Sequence, residues 1–286
     1  MTCSGPGFRV GFLAIMLALA GPAIAQAPPR PAPNPPPTTA VEIEAFSQGA
    51  MLGIFFHAFG HMVISELKLA STEPEEDAVD ELSTILLSTV MIRVPESEGE
   101  SYAQVIMGSA LYLKFSAEEL RAQDKGIPFH DEHPPDERRV ANILCLAAGA
   151  DPHHFFLTAA KAGILQDRLR RCAETYQERQ AVWDELLARA VEGRKSRGML
   201  TLEVVPSRNP TYRRFEQVFE QGGDFDQMLV FFVAMGRLPR DVPIVVKDCG
   251  VANGFWSPRE AEIVLCYEML DHVAQTFTRA AKRAPN

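Results

Sequence analysis

The chain has 286 residues, of which 47% are hydrophobic and 23% are charged, so its composition is that of a folded globular protein. This composition excludes wholesale disorder, a collagen-like fibre and a very small protein held together by many disulfides. The formal net charge of -9 and the lack of a long run of Lys or Arg argue against nucleic acid as a partner.

The N-terminal segment has the pattern of a cleavable export signal. Arg9 is the only charged residue before position 30, and it precedes an apolar run over residues 10–20. Small residues and the triplet Ala23-Ile24-Ala25 follow this run. A basic start, a short apolar run and an A-x-A triplet are typical of a signal peptide. We therefore predict a signal peptide over residues 1–25 and a periplasmic or secreted protein, with an uncleaved N-terminal anchor as the alternative.

Residues 26–40 are rich in proline, which fixes the backbone angle φ and removes backbone hydrogen-bond donors. This segment is predicted to be an extended linker, and residues 41–286 are expected to form the folded domain.

The spacing of apolar residues predicts a helix-rich domain. In chain order, helices are predicted over 41–69, 72–94, 102–123 and 136–148, in a short stretch after Pro152, and over 167–190, 212–220, 225–235 and 267–282. Strands are predicted over 200–205, 242–247 and 263–266, with turns at 97–100 and 255–258. The predicted fold class is α+β, with a small β-sheet beside the helices.

Four cysteines remain after removal of the signal peptide: Cys145, Cys172, Cys249 and Cys266. An even number of cysteines in an exported chain favours two disulfides, and three pairings are possible. The most local pairing joins Cys145 to Cys172 and Cys249 to Cys266. A zinc site made of all four cysteines is the alternative, but the C-x2-C spacing typical of such sites is missing.

Two histidines of the first predicted helix form the main candidate site. His57 and His61 are four residues apart, so they lie on one face of a helix, as two ligands of one metal ion must. The second helix offers Glu76 and Asp80, also four apart, and an antiparallel packing of the two helices would bring them to the histidines. Glu76 is then the predicted third ligand, and Asp80 accepts the second ring N–H of a ligand histidine. In the alternative reading, the histidines belong to the core and the acidic residues complement the helix dipole.

These segments resemble the zinc metallopeptidase family DUF4344, a domain of unknown function with an HExGH helix followed by an acidic EDxxD helix. The similar segments are HAFGH, EEDAVD, DEHPPDERRVANILC and CGVANGFW. The resemblance implies a zincin-like fold and zinc as cofactor, with His57, His61 and Glu76 as metal ligands and Asp80 behind them. It also favours the two local disulfides, and it implies a peptide or protein as substrate or ligand.

Position 58 departs from the family pattern, which has Glu directly after the first histidine. In HExxH hydrolases this Glu provides general acid-base catalysis, which contributes about 10²- to 10⁴-fold to the rate. Ala58 has no acid-base group. We therefore expect zinc binding to survive and peptide hydrolysis to be impaired or absent. The alternative function is that of a non-catalytic pseudo-peptidase that binds zinc or a peptide in the periplasm.

Other residues are further candidates for the site. His133, in the predicted loop over 125–135, could replace the missing base. Asn253 and Phe255 could line a substrate cleft beside an edge strand that pairs with an extended peptide, and Trp256 belongs either to that cleft or to the core.

Residues 45–65 carry no formal charge and are long enough to cross a bilayer. They contain several polar residues, and no second span exists to shield them. We therefore expect no stable membrane span in the mature chain.

Overall fold

The structure is a computed structural model that describes residues 40–70, 74–91, 99–122, 137–161, 163–194, 198–221 and 238–283. The predicted signal peptide, nearly all of the linker, the loop with His133 and the predicted helix over 225–235 lie outside these ranges. The described residues form a helix-rich α+β fold with a small mixed sheet, which confirms the predicted fold class.

The helices follow the apolar periodicity closely. They are α1 (Ala40–Leu67), α2 (Glu75–Met91), α3 (Gly99–Ala122), α4 (Glu137–Ala150), α5 (Pro152–Lys161), α6 (Gln166–Val191), α7 (Arg213–Gln221) and α8 (Tyr267–Arg283). The predicted turn at 97–100 is wrong at its C-terminal end, because α3 begins at Gly99. The residue types of this segment are compatible with the early start, because acidic residues are favourable in the first turn of a helix.

The sheet contains four strands in the order β1-β2-β4-β3. These are β1 (Leu200–Val204), β2 (Val242–Lys247), β3 (Gly254–Ser257) and β4 (Glu262–Cys266). The strand β2 pairs in parallel with both β1 and β4, whereas β3 pairs with β4 in an antiparallel manner. The predicted turn at 255–258 is therefore wrong over residues 255–257, which belong to β3, whereas Pro258 lies in a turn. Alternate residues of this segment, Gly254 and Trp256, are buried, as the two-residue period of a strand requires.

The helix α1 lies at the centre of the fold. It packs against α2, α3, α8 and the strand β3, and its large side chains Phe46, Phe55, Phe56 and Met62 are almost completely buried. Its approach to α3 is very close, since a Cβ atom at Gly108 would lie 2.3 Å from the carbonyl oxygen of Phe46. Glycine at this position therefore allows the two helices to pack backbone against backbone.

The segment Phe46–Leu67 of α1 is, within the described part of the chain, the one helical stretch long and apolar enough to cross a membrane. Half of it is buried inside the fold. The core helix of a soluble protein has the same length and composition, so this feature alone is weak support for a span.

The structure contains two disulfides, and they join the cysteines in the most local of the three possible pairings. Cys145 of α4 is bonded to Cys172 of α6, and Cys249 is bonded to Cys266 at the end of β4.

We expect the double substitution Cys145→Ala/Cys172→Ala to lower the free energy of unfolding by about 3 kcal/mol, because it frees a loop in the unfolded chain. Guanidinium unfolding measures this change. A loss below about 1 kcal/mol would show that the crosslink adds little to stability.

A second stability prediction concerns His272 of α8, whose ring packs edge-on against Tyr112 of α3 at a centroid distance of 6.1 Å. Burial, together with the positive charge of Arg279, lowers the pKa of His272 below its ordinary value of 6.5. As the pH falls, the unfolded chain therefore binds this proton before the folded chain does, and the free energy of unfolding decreases until the lowered pKa is reached. Urea unfolding at about pH 7.5 and at about pH 5.5 measures this effect. Between these two pH values, the free energy of unfolding is expected to decrease less for His272→Gln than for wild type. Equal losses would contradict this assignment.

Candidate metal centre

The helices α1 and α2 pack antiparallel and bring the candidate ligands together. Gly60 makes this contact close, because a Cβ atom there would lie 3.1 Å from Cγ1 of Val79. A Cβ atom at position 60 would require Val79 to give way by a few tenths of an ångström. The close approach places Glu76 opposite His61, and Asp80 opposite His57.

Three side chains point their donor atoms at a common space. Nε2 of His57 lies 3.3 Å from Oε2 of Glu76, and Nε2 of His61 lies 3.2 Å from Oε1 of the same carboxylate. The two imidazole rings are nearly perpendicular, with centroids 4.9 Å apart. One donor atom from each of the three residues lies within 4.8 Å of the others. Four ligands of tetrahedral zinc, with bonds of about 2.0–2.2 Å, are spaced by about 3.3–3.6 Å, so these separations fit such an ion.

The other ring nitrogen of each histidine faces a carboxylate. Nδ1 of His57 is 3.0 Å from Oδ1 of Asp80, and Nδ1 of His61 is 3.0 Å from Oε1 of Glu75. If each Nδ1 carries the proton and donates it to its carboxylate, each neutral ring turns the lone pair of Nε2 towards Glu76. Lone pairs and a carboxylate repel one another at this distance unless a cation lies between them. In this tautomer, the two Nε2 atoms and the Glu76 carboxylate suit a divalent metal ion.

Asp80 is held in place by Arg139 of α4. The guanidinium donates from Nε to Oδ2 at 2.6 Å and from Nη2 to Oδ1 at 2.7 Å. Burial by itself would raise the pKa of Asp80, but the hydrogen bonds from Arg139 and His57 and the charge of Arg139 outweigh this effect and lower the pKa below its ordinary value. The carboxylate that faces His57 is thus kept in its charged form, which is a strong hydrogen-bond acceptor.

Further contacts fix the position of α2 itself. Arg138 of α4 donates to Asp77 at 2.7 Å. From α6, Arg179 and the indole N–H of Trp183 both donate to Oε1 of Glu81 at 2.7 Å. The acidic helix is therefore held by cations and an N–H group on two neighbouring helices, which limits how far its carboxylates can move away from the histidines.

Ala58 is completely buried and belongs to the hydrophobic core. It lies one helical turn before His61 and one turn after Ile54. Ile54 in turn lies against β3, since a Cβ atom at Gly254 would be 2.5 Å from its Cγ2. The position that carries the general base in the family pattern is thus filled by a methyl group.

The remaining predicted site residues lie elsewhere. Asn253 and Phe255 belong to the β3 segment at the edge of the sheet, and they are not part of the group formed by the two histidines and Glu76. The side-chain oxygen of Asn253 accepts a hydrogen bond from the backbone N–H of Gly254. Trp256 is buried and belongs to the core. His133 lies outside the described residues.

Two residues of the centre could not be singled out from the sequence. Glu75 is the partner of His61, and Arg139 is the partner of Asp80. Glu75 directly precedes Glu76, so either could have been the ligand, and only the rotation of α2 decides between them. Arg139 lies 59 residues after Asp80. The adjacent pair Arg138 and Arg139 at the start of an otherwise apolar helix was the one available signal.

Comparison with known proteins agrees with the geometry of the centre. No curated protein and no solved structure matches the chain. A family model, DUF4344, which is described as "Putative metallopeptidase", matches residues 37–187 and 205–285. These ranges cover most of the chain and include the two histidines, Glu76 and both disulfides. The protein therefore belongs to the DUF4344 family of metallopeptidase-like proteins.

Proposed function

We propose that this protein is an exported zinc-binding member of its family in which peptide-bond hydrolysis is impaired or absent. The observation that carries the proposal is the convergence of one donor atom each from His57, His61 and Glu76 within 4.8 Å, beside Ala58 at the position of the general base. Membership of the family supports a metal, and the donor set supports zinc in particular. Two imidazoles and one carboxylate are a common protein ligand set of catalytic zinc.

The same donor set leaves room for a fourth ligand, as in catalytic rather than structural zinc sites. When bound, zinc would act as a Lewis acid towards a substrate carbonyl and would activate a water molecule. The chain's own contribution is to hold the ligands: Asp80 and Glu75 orient the two rings, and the hydrogen bonds to α2 keep Glu76 in place.

The missing element is a group that can move the proton. In the described residues, the carboxylates nearest the histidines are already engaged, since Glu75 and Asp80 face Nδ1 atoms and Glu76 faces both Nε2 atoms. None of them lies at position 58, where Ala58 provides only a methyl group. We infer that the centre retains metal binding and loses most of its hydrolytic rate, unless His133 or another residue supplies the base.

Peptide binding without hydrolysis is the alternative function. The strand β3 supports it, because β3 is an edge strand among the described residues and packs against α1 beside Ile54, one turn before His57. The free edge of a sheet can accept an extended peptide as an additional strand. In this alternative, Asn253 and Phe255 would contact the bound peptide.

Export rests on two features. The two disulfides fit an oxidising compartment such as the periplasm or the extracellular space. The pattern of residues 1–25 is that of a cleavable signal peptide. We therefore propose a mature protein that begins after Ala25 with a proline-rich linker over residues 26–40.

The first test is the metal content and zinc-dependent stability of the mature protein. Elemental mass spectrometry is expected to find one zinc per chain after purification without chelator. Zinc at about 100 times its dissociation constant should stabilise the fold by about 2.7 kcal/mol relative to the chelator-treated protein. That stabilisation corresponds to a rise in melting temperature of about 5–10 °C for a domain of this size. No zinc and no shift in melting temperature would overturn the proposal.

A further inference from the structure

The two histidines of the centre are held by very different partners. Asp80, the partner of His57, has only 8% of its side chain exposed, whereas Glu75, the partner of His61, has 66% exposed. An exposed carboxylate is hydrated and can change its rotamer, so it orients a ring weakly. A buried carboxylate orients a ring strongly, provided that its own position is determined.

Arg139 determines the position of Asp80. Its side chain is as buried as that of Asp80, with 6% exposed, and its planar guanidinium contacts both carboxylate oxygens. Two parallel hydrogen bonds fix the plane of the carboxylate as well as its distance. Oδ1, which receives one of these bonds, is also the atom that faces Nδ1 of His57.

The backbone that carries Arg139 is itself anchored. Arg139 lies near the start of α4, and the disulfide from Cys145 ties the same helix to α6. The helix α6 in turn contacts α2 through Arg179, Trp183 and Glu81. Arg139 thus reaches Asp80 from a helix that is crosslinked to the scaffold, rather than from a mobile surface segment.

We propose that Arg139 is a positioning residue for the metal centre, which orients His57 through Asp80. This inference rests on the proposed zinc site for its effect on affinity, but its effect on the His57 ring exists in the metal-free protein as well. The two hydrogen bonds from the Arg139 guanidinium go to Asp80, which is not one of the three proposed ligands. It fixes Asp80, Asp80 accepts the Nδ1 proton of His57, and Nε2 of His57 is thereby left free of a proton and directed at Glu76.

Lysine could replace arginine only in part in this role. A single ammonium group offers point-like donors instead of a planar fork, so it can neutralise Asp80 without fixing the plane of its carboxylate. The proposal therefore predicts that the zinc affinity of Arg139→Lys lies between that of wild type and that of Arg139→Gln.

The test uses the full mature chain and two readouts. The first is the Nδ1 proton signal of His57 in the NMR spectrum of the metal-free protein, and the second is zinc affinity by competition with a chelating dye. Arg139→Gln is expected to shift or remove the His57 signal, to leave the His61 signal in place and to weaken zinc binding by about 10- to 100-fold. Arg214→Gln is the control, since Arg214 also donates to an aspartate, Asp271, but this pair joins α7 to α8 and holds no residue of α2. It should change neither readout.

The outcomes separate this inference from the proposed zinc site. If neither protein binds zinc but Arg139→Gln still alters the His57 signal alone, the zinc proposal fails and the positioning role stands. If a folded Arg139→Gln variant keeps the His57 signal and the zinc affinity of wild type, the positioning role is overturned. If Arg139→Gln does not fold, the same two readouts are measured on Arg139→Lys, and they decide whether the positioning role stands. An intermediate affinity with an altered His57 signal supports the role, and wild-type values overturn it.

Discussion

Ala58→Glu is expected to raise the rate of hydrolysis of an unfolded protein such as casein by about 10²- to 10⁴-fold. The substitution restores the acid-base group of the HExGH pattern on a helix whose two histidines already face Glu76. Position 58 lies one turn before His61, so a glutamate there shares the flank of α1 that borders the ligands. In the proposed zinc site, the candidate ligands and their partners are in place, and the group proposed to be missing is the one that transfers the proton.

The same substitution is expected to lower stability, because Ala58 is completely buried. A carboxylate in this position loses hydration, which zinc or a bound water must offset. Ala58→Gln is therefore the matched control, since it has the same size and burial but cannot accept a proton at neutral pH. Both variants should have lower melting temperatures than wild type, and only Ala58→Glu should gain activity.

Release of fluorescent peptides from labelled casein, with zinc and then with a chelator, measures this effect. Activity that is specific to Ala58→Glu and is abolished by the chelator would establish a metallopeptidase scaffold that lacks only its base. A folded, zinc-loaded Ala58→Glu variant that is no more active than Ala58→Gln would mean that the cleft has also lost its ability to place a peptide bond at the metal.

His61→Ala should lower zinc affinity by about 10²- to 10³-fold. Zinc sites with four protein ligands have apparent binding free energies of about 10–16 kcal/mol, which corresponds to about 2.5–4 kcal/mol for each ligand. Glu76→Gln should have an effect of similar size, because Glu76 faces both histidines and provides the only negative charge among the three donors. Loss of either residue should also abolish the zinc-dependent rise in melting temperature.

His154→Ala is the control for this series. His154 also pairs with a carboxylate, that of Asp151 at 2.5 Å, but it lies in the first turn of α5, away from the metal centre. Zinc affinity by chelator competition should be unchanged in this variant. If His61→Ala also binds zinc like wild type, the two histidines are core residues that hydrogen-bond to α2, and the protein must act as a peptide- or protein-binding module.

The candidate ligands could be predicted from the sequence because the signal is local. A helix places residues four apart on one face whatever surrounds it. The spacing therefore predicts that His57 and His61 share one face of their helix, and that Glu76 and Asp80 share one face of theirs. In the structure, Gly60 lies between the two histidines in the chain and has Val79 of α2 as its close neighbour. The short connection between α1 and α2 left an antiparallel pair as the simplest packing.

The partners of these residues could not be predicted with the same certainty. Arg139 comes from a helix far along the chain, and its contact with Asp80 depends on how α4 packs against α2. The choice of Glu75 for His61 and Glu76 for the metal depends on the rotation of α2 about its own axis. That rotation is set by the buried side chains of the whole helical layer and by Arg179 and Trp183 of α6.

The segment around Trp256 illustrates the same limit in the sheet. Its aromatic residues and Pro258 suggest a turn, yet residues 254–257 form the edge strand β3, because pairing with β4 buries Gly254 and Trp256. Strand formation depends on distant pairing partners, so a short segment is a weak guide to it.

Residue type and short spacing were enough to predict the helices, the even set of cysteines, the pair of histidines and the presence of Ala58 where the family pattern has Glu. The folded chain was needed to show which carboxylate faces which ring nitrogen, that Arg139 donates two hydrogen bonds to Asp80, and that the edge strand β3 packs against α1. Those contacts join residues far apart in the chain, and the packing of the complete core selects among their alternatives.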